Sequence, residues 1–303
     1  MTDPAPPPGS TVSGEAAAPA GSPSHRVALV TGAARGIGAA TVAALAADGW
    51  QVLAVDRCAD DPALPYPLGT RAELARVAQA ASNQPAGGGQ GSGGGACGET
   101  GSGEAVAFEA DVRDPQALAA AVAEAERRWG GLDAAIAAAG VIAGGVPAWQ
   151  VPADQEQAVL DINLGGVLNL ARMAVPALLR RPSPRHGRLI AVASAAATRG
   201  LPMLAAYCAA KAGVTGFVRA LAAELGGTGI TVNAVSPGST ATPILDESAR
   251  LYALPDAGAF ASQQPLGRLL RPDEVAAVIT FLAGDTASGM TGAIVPVDGG
   301  LAL

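Results

Sequence analysis

The sequence predicts a doubly wound α/β fold in which helices cover both faces of one parallel sheet. Apolar runs of strand length alternate along the chain with longer runs of helical periodicity. The strand-length runs are continuously apolar, which is typical of strands buried on both faces. Half of the 303 residues are hydrophobic, yet only 3% are aromatic. The core is therefore expected to consist largely of alanine-rich helices packed closely on the sheet.

Strand-length and helical runs follow each other from the amino end to the carboxyl end. The predicted strands cover residues 26–31, 51–56, 105–109, 132–138, 188–194, 230–236 and 293–297. The predicted helices cover residues 36–48, 115–129, 154–179, 203–225 and 272–283. Sheets of this kind bind ligands beyond the carboxyl ends of their strands. The residues that follow the strands are therefore the candidates for a functional site.

Two segments depart from this alternation. Residues 1–24 are rich in Pro, Ala, Gly and Ser and lack the basic and apolar parts of a secretory signal. A disordered tail is expected there, before a single domain that spans residues 25–303. Residues 57–104 are longer than a simple crossover needs and predict an insertion after the second strand. It contains a predicted helix over residues 70–81 and a mobile, glycine-rich tip over residues 86–103.

Charge and cysteine content argue against several classes of function. The net charge is −7, without a basic patch, so binding to nucleic acid or to an anionic membrane is not expected. Cys58, Cys97 and Cys208 lie far apart, and His25 and His186 are the only histidines. No metal site is predicted from this set. Free thiols in a reducing compartment are expected, and hence a cytoplasmic protein.

A glycine-rich turn follows the first predicted strand and begins the first predicted helix. It reads Thr31-Gly32-Ala33-Ala34-Arg35-Gly36-Ile37-Gly38. Backbone N–H groups and the positive end of the helix meet at such a turn and can bind a pyrophosphate. Gly32 permits the tight turn, Gly36 lets phosphates approach the backbone, and Gly38 permits close packing of helix on strand.

The second predicted strand ends in Asp56, 18 residues after Gly38. A carboxylate at this place can bind both ribose hydroxyls of a dinucleotide and repels a 2′-phosphate, which favours NAD over NADP. The neighbouring Arg57 carries the opposite charge and could accept a 2′-phosphate. These two residues favour NAD without excluding NADP.

Tyr207 and Lys211 lie one turn apart on a predicted helix, so they share one of its faces. A neighbouring ammonium lowers the pKa of a phenol and makes it a better acid–base group. Ser194 ends the preceding predicted strand and can hold a substrate oxygen. Lys211 is the only lysine in the chain, which argues against a chance pairing. Asn163 lies inside a predicted helix, where asparagine is disfavoured, and indicates either a helix irregularity or a member of a proton relay.

Together these residues resemble the short-chain dehydrogenase/reductase family over about residues 26–300. The resemblance implies a Rossmann fold, a homotetramer and a catalytic set of Asn163, Ser194, Tyr207 and Lys211. It implies an Asp-Val pair that contacts adenine, a Pro-Gly-x-x-x-Thr segment whose threonine contacts the carboxamide, and a terminal Asp-Gly-Gly at 298–300. The cofactor-binding residues that it implies are Gly32, Arg35, Gly36, Ile37, Gly38, Asp56, Arg57, Asp111, Val112, Ala139, Gly140, Tyr207, Lys211, Pro237, Gly238, Thr240 and Thr242.

One motif departs from the family's pattern. The family usually has Asn-Asn-Ala-Gly after the fourth strand, whereas this chain has Ala137-Ala138-Ala139-Gly140. The glycine is kept, so access for the cofactor is expected to survive. The side-chain hydrogen bonds that brace the sheet there must be replaced by others.

The insertion is similar to that of the mycofactocin-coupled branch of the family. The similarity lies in Asp56-Arg57-Cys58-Ala59-Asp60 and in Leu64-Pro65-Tyr66-Pro67-Leu68-Gly69-Thr70. It implies a cover over NAD, which then does not exchange freely and is reoxidised in place by the redox carrier mycofactocin. The alternative is a loop without effect on exchange.

The expected function is hydride transfer between an alcohol or ketone and NAD. Tyr207 would act as the general base in oxidation, Ser194 would orient the oxygen, and Lys211 would lower the pKa of Tyr207 and bind the nicotinamide ribose. The irregular, apolar segment 244–270 is expected to cover the substrate, which favours an apolar secondary alcohol. The alternatives are an NADP-dependent ketoreductase of the same fold and a non-catalytic NAD(H)-binding regulator.

Overall fold

The computed structural model describes residues 25–83 and 103–303. The expected amino-terminal tail and all but the last residue of the expected glycine-rich tip lie outside these residues. The strands are β1 (Val27–Thr31), β2 (Gln51–Asp56), β3 (Ala105–Glu109), β4 (Ala134–Ala137), β5 (Arg188–Val192), β6 (Thr231–Pro237) and β7 (Ile294–Val297). The α-helices are α1 (Gly36–Ala47), α2 (Arg71–Ser82), α3 (Pro115–Trp129), α4 (Ala153–Leu160), α5 (Gly166–Arg180), α6 (Ala205–Glu224), α7 (Pro243–Leu251) and α8 (Pro272–Ala283).

These strands form one sheet in the order β3-β2-β1-β4-β5-β6-β7, and all neighbouring pairs are parallel. The chain builds outward from β1 to β3 and then returns to place β4 on the other side of β1. The order of the strands therefore reverses between β1 and β4, which is where such sheets bind their ligands. The predicted doubly wound parallel sheet is confirmed.

Each face of the sheet has its own apolar core. Along β1, Val27 and Leu29 point into one core and Ala28 and Val30 into the other, because successive side chains of a strand face opposite sides. All five residues of β1 are fully or almost fully buried. Helices α3, α5 and α6 cover the first face, and α1 and α8 cover the second.

The predicted helix over residues 154–179 is interrupted. A π-helical turn at Asp161–Gly165 separates α4 from α5. The continuous run Ala153–Arg180 is long and apolar enough to span a membrane by length and composition alone, but half of its apolar window is buried inside the fold. Its apolar side chains belong to the core against the sheet.

The segment 244–270 was expected to be irregular, but this expectation is wrong. It contains most of α7 and a 3₁₀ turn at Ala257–Gln263. Pro243 occupies the first turn of α7 and Thr242 precedes it. Proline at that position is a recognised signal for the start of a helix, so the beginning of α7 could have been predicted from the sequence.

The predicted insertion divides into three parts. Helix α2 is the regular crossover between β2 and β3, and it begins with a capping box formed by Thr70 and Glu73. The segment after α2 lies largely outside the described residues. The remaining additional residues, 57–70, precede α2 and are here called the strap.

Candidate active site

A cavity of about 690 Å³ opens at the carboxyl edge of the sheet. Each residue that the sequence analysis assigned to the catalytic set or to the cofactor lines this cavity. The predicted residues are thus brought together at one place, although they come from segments more than two hundred positions apart.

The turn between β1 and α1 tolerates only glycine at two of its positions. Gly32 has a φ of +66°, and a Cβ atom there would lie 2.6 Å from the backbone of Ala139. A Cβ atom on Gly38 would collide with the carbonyl oxygen of Gly32. The first turn of α1 has no side-chain cap, so its N–H groups are available to an anion. Gly36 lies opposite Thr242, which marks the far side of this part of the cavity.

Asp56 ends β2 beside this turn. One carboxylate oxygen accepts a hydrogen bond from the backbone N–H of Ala34 at 3.0 Å, and the other accepts one from Cys58 at 3.3 Å. The neighbouring Arg57 is already paired, since its guanidinium contacts Asp61 at 2.7 Å and Asp111 at 3.2 Å. The carboxylate of Asp56 therefore lines the cavity and can accept further hydrogen bonds. The guanidinium of Arg57 is held by two carboxylates.

The strap runs from the end of β2, past the glycine turn, to the loop that follows β4. Its Tyr66 hydroxyl accepts a hydrogen bond from the backbone N–H of Ile142 at 2.9 Å. Its Pro67 carbonyl accepts one from Arg35 at 2.9 Å. Gly69 presses against the glycine turn, because a Cβ atom there would lie 2.8 Å from that of Ala34. Since β1 lies between β2 and β4, this course carries the strap across the carboxyl end of β1.

Tyr66 is the strap residue that sequence reasoning missed as an anchor. It is half-buried, and burial raises the pKa of its phenol to about 12. The hydroxyl is therefore neutral over the whole range in which proteins are assayed. The signals for it in the sequence were its place in the segment that resembles the mycofactocin-coupled branch and the scarcity of tyrosine, which occurs three times in the chain.

Tyr207 and Lys211 share one face of α6, as their spacing predicts. The Lys211 ammonium donates to the carbonyl oxygen of Val192 at 2.8 Å and lies 5.7 Å from the centre of the Tyr207 ring. Burial lowers the pKa of Lys211 to about 8. Burial also raises the pKa of Tyr207, and the nearby Ser194 hydroxyl opposes that rise. The pKa of Tyr207 is thus raised, not lowered as the sequence predicts, and the phenol is protonated at neutral pH.

Ser194 follows β5 and caps a short 3₁₀ turn at Ala195–Ala197. Its Oγ accepts a hydrogen bond from the backbone N–H of Ala196 at 3.1 Å. A hydroxyl has one donor and two acceptor positions. The Ser194 proton thus remains available to an oxygen atom in the cavity.

Asn163 lies in the π-helical turn and is fully buried. Its amide nitrogen donates to the carbonyl oxygens of Val141 at 2.9 Å and Val159 at 2.8 Å, and its Oδ1 accepts from the N–H of Val141 at 3.2 Å. The helix irregularity expected at this residue is present. Both amide donors are committed, so a contact with a relay water would have to use the second lone pair of Oδ1 or the backbone.

The loop after β6 carries Pro237, Gly238, Thr240 and Thr242, and a buried glutamine holds it. The Oε1 of Gln264 accepts from the N–H of Ser239 at 2.9 Å. The Thr240 hydroxyl donates to the carbonyl oxygen of Gly238, and that of Thr242 donates to the carbonyl oxygen of Thr240, both at 3.1 Å. Gln264 was missed because 25 positions separate it from Ser239.

The end of the cavity beyond Tyr207 is apolar. Its walls include Leu201, Leu204, Ile244, Leu245, Leu254, Phe260 and Leu301. The Tyr252 hydroxyl donates to the carbonyl oxygen of Pro202 at 2.7 Å, and its ring packs edge-on against Phe260. Arg199 also lines this end, and its guanidinium is bound to the carbonyl oxygen of Leu301.

Comparisons with known proteins agree with this geometry. A family model described as enoyl-(acyl carrier protein) reductase matches residues 96–302, and one described as short chain dehydrogenase matches residues 26–77. The short-chain reductase protein NovJ of Streptomyces niveus is 39% identical over 278 residues, which cover 90% of this chain and 93% of NovJ. The chain belongs to the short-chain dehydrogenase/reductase family. It is accordingly an oxidoreductase of that family, as the resemblance implied.

Other members of the short-chain dehydrogenase/reductase family match over similar lengths. The 3-oxoacyl-[acyl-carrier-protein] reductase FabG of Thermotoga maritima is 33% identical, over 92% of this chain and 98% of FabG. The crystal structure of carveol dehydrogenase from Mycobacterium avium in complex with NAD is 31% identical, with a TM-score of 0.81, and the match covers 91% of this chain and 97% of that one. These relatives act on different substrates, so membership alone does not fix the substrate.

The structure accounts for the motif that departs from the short-chain dehydrogenase/reductase pattern. The Thr31 hydroxyl accepts hydrogen bonds from the N–H groups of Ala138 at 3.2 Å and Ala139 at 3.4 Å. Asn163 binds both backbone groups of Val141, as described above. One hydroxyl and one amide from neighbouring elements thus brace the segment after β4.

Proposed function

We propose that this protein is an NAD-dependent alcohol dehydrogenase or carbonyl reductase that acts on apolar secondary alcohols and the matching ketones. The proposal rests mainly on one arrangement. Tyr207, Ser194 and Lys211 face the same cavity as Asp56 and the glycine turn. A dinucleotide held along that cavity and a carbonyl or alcohol at its apolar end would meet at Tyr207.

The residues divide the chemistry as follows. When bound, NAD would supply the nicotinamide as the acceptor or donor of the hydride. Tyr207 gives its proton to the carbonyl oxygen in reduction and takes one from the alcohol in oxidation. Ser194 donates its free proton to the same oxygen, which fixes the position of the oxygen. Lys211 binds the nicotinamide ribose, and a positive charge beside the phenol favours the phenolate.

NAD is favoured over NADP by the charges at the adenosine end. Asp56 presents a carboxylate where the ribose hydroxyls are expected, and Arg57 is engaged by Asp61 and Asp111. A 2′-phosphate would meet the carboxylate of Asp56, and the adjacent guanidinium of Arg57 is already engaged by two carboxylates.

The strap supports retention of NAD between turnovers. It is tied to the loop after β4 through Tyr66 and to the glycine turn through Arg35. A retained cofactor needs an external redox partner, and mycofactocin is the partner proposed here. The enzyme would work as a cytoplasmic homotetramer. A strap without effect on exchange is the alternative.

A 3-oxoacyl reductase is the second candidate function, because the Thermotoga maritima relative bears that name. The apolar walls and the engaged Arg199 favour an uncharged, compact substrate over an acyl chain on a charged carrier. A purely regulatory NAD(H)-binding protein is disfavoured, since the four residues proposed to be catalytic line one cavity. An NADP-dependent ketoreductase is disfavoured by Asp56.

The first experiment is to purify the protein, gel-filter it, denature it and identify the released nucleotides by chromatography. Stoichiometric NAD or NADH is expected, together with turnover that requires an artificial electron acceptor. An empty protein that turns over with free NAD would keep the dehydrogenase function and discard the retained cofactor.

The variant Tyr207→Phe tests the role of the phenol. Turnover of a panel of cyclic secondary alcohols is expected to be lost, while the nucleotide content stays as in the wild type. Ordinary turnover in this variant would contradict the proposed chemistry.

A further inference from the structure

Two arginines and two aspartates form a closed cluster at the adenosine end of the cavity. Arg57 contacts Asp61 at 2.7 Å and Asp111 at 3.2 Å. Arg113 contacts the same two carboxylates at 2.8 Å and 2.7 Å. Each guanidinium is therefore shared between both aspartates. Such charge-assisted bonds hold the planar guanidinium group in one orientation.

Asp61 is the buried member of this cluster. Its side chain is 4% exposed, whereas those of Arg57, Asp111 and Arg113 are 25–28% exposed. Burial alone would raise the pKa of Asp61, but the N–H of Ala63 and the two arginines hold it below its usual value. The carboxylate is thus ionised and carries the charge that fixes both guanidinium groups.

Asp61 lies behind the cavity wall, whereas Arg57 and Asp111 line the cavity. Asp61 can act on a bound nucleotide only through these neighbours. Arg57 directly follows Asp56, the residue that is proposed to meet the ribose. Arg35 also lines the cavity, but it donates to the carbonyl oxygen of Pro67. If the Arg57 guanidinium were released from Asp61, it would be a cation directly next to Asp56, where a 2′-phosphate would bind.

We infer that Asp61 is a positioning residue that sets the choice between NAD and NADP. Asp61 holds the guanidinium of Arg57, so a 2′-phosphate would meet the carboxylate of Asp56 and not a free cation. Asp61 thereby disfavours the binding of NADP. This inference rests on the proposed use of NAD. The preference for NAD then depends on two acidic residues: Asp56, which would contact the ribose, and Asp61, which restrains Arg57.

The test uses the full chain, freed of nucleotide with charcoal, and two probes of the adenosine end. Affinities for 5′-AMP and 2′,5′-ADP are measured by isothermal titration calorimetry. The wild type is expected to prefer 5′-AMP. In Asp61→Asn this preference is expected to fall about tenfold or more, the usual worth of one charge-assisted hydrogen bond. Asparagine keeps an acceptor for the N–H of Ala63, and thermal unfolding is recorded for each variant.

Asp60→Asn is the matched control. Asp60 is the adjacent residue, is exposed, and accepts a hydrogen bond from the N–H of Leu68 that asparagine can also accept. Its substitution removes the same charge without releasing Arg57, so the wild-type preference is expected to remain. Arg57→Met is expected to cancel, in the Asp61→Asn background, the gain in affinity for 2′,5′-ADP.

Several outcomes would overturn the inference. An unchanged preference in folded Asp61→Asn is one, and an equal gain in Asp60→Asn, which would show a simple effect of net charge, is another. If Asp61→Asn does not fold, Asp61→Ser, whose hydroxyl can also accept from the N–H of Ala63, takes its place. A wild type that binds neither probe would overturn the proposed function as well, whereas a wild type that prefers 5′-AMP leaves that function standing.

Discussion

Tyr66→Phe removes one oxygen atom from the strap and is expected to speed the release of bound nucleotide. The ring stays in place, but the N–H of Ile142, a buried residue, loses its acceptor. A buried donor without a partner costs about 1–3 kcal/mol. If that cost falls on the closed strap alone, the population of open strap rises about 5- to 150-fold. The rate of NADH release is expected to rise by the same factor when release requires opening.

The assay follows nicotinamide fluorescence after mixing the NADH-loaded protein with excess NAD. Tyr252→Phe is the matched control, because its hydroxyl also bonds to backbone, at the carbonyl oxygen of Pro202 on the substrate side. It is expected to leave the release rate unchanged. The pKa of Tyr66 is about 12, so the wild-type rate should not change between pH 6 and pH 9 through loss of the Tyr66 proton. Equal release rates in Tyr66→Phe and the wild type would refute the view that this hydrogen bond closes the strap.

Three further predictions concern the frame of the site. Asn163→Ala removes the partners of the buried N–H and carbonyl oxygen of Val141 and is expected to lower the free energy of unfolding by about 3 kcal/mol. A loss below about 0.5 kcal/mol in urea titrations would contradict this. Gly38→Ala is expected to abolish the thermal stabilisation by NADH, because the added methyl group collides with the carbonyl oxygen of Gly32. Gly216→Ala is the control and should retain this stabilisation, because the methyl group added there meets no other atom. Burial lowers the pKa of Lys211 to about 8 from 10.5, so the folded protein binds fewer protons than the unfolded chain between these values. Stability should therefore rise with pH across that window, and Lys211→Met should lack this part of the rise, as denaturation at several pH values can show.

Local patterns predicted the parts of the site that lie within one or two elements. The spacing of Tyr207 and Lys211 fixes their shared face because it equals one helical turn. The glycine turn is predictable because only glycine fits where the backbone segments touch, as at Gly32 and Gly38. The parallel sheet is also predictable from the alternation of strands and helices, since parallel neighbours need crossover connections.

Contacts between distant segments could not be predicted in the same way. The contact of Arg57 with Asp111 could not be predicted because the two residues are 54 positions apart. Asp61 is only four positions from Arg57, but the two lie in a segment without regular structure, where spacing does not predict a contact. The anchor between Tyr66 and Ile142 joins two loops whose positions depend on the finished sheet. The α7 error is of another kind, because its start signal at Pro243 was present in the sequence.

The burial of Lys211 has a practical consequence for chemical labelling. Because the chain contains no other lysine, its outer surface offers no ε-amino group to succinimidyl esters or formaldehyde. Such a reagent can reach a lysine side chain only by entering the cavity. The rate at which Lys211 is modified, measured by mass spectrometry of the peptide that contains it, would then report how often the cavity opens to the reagent. A bound dinucleotide should slow this modification.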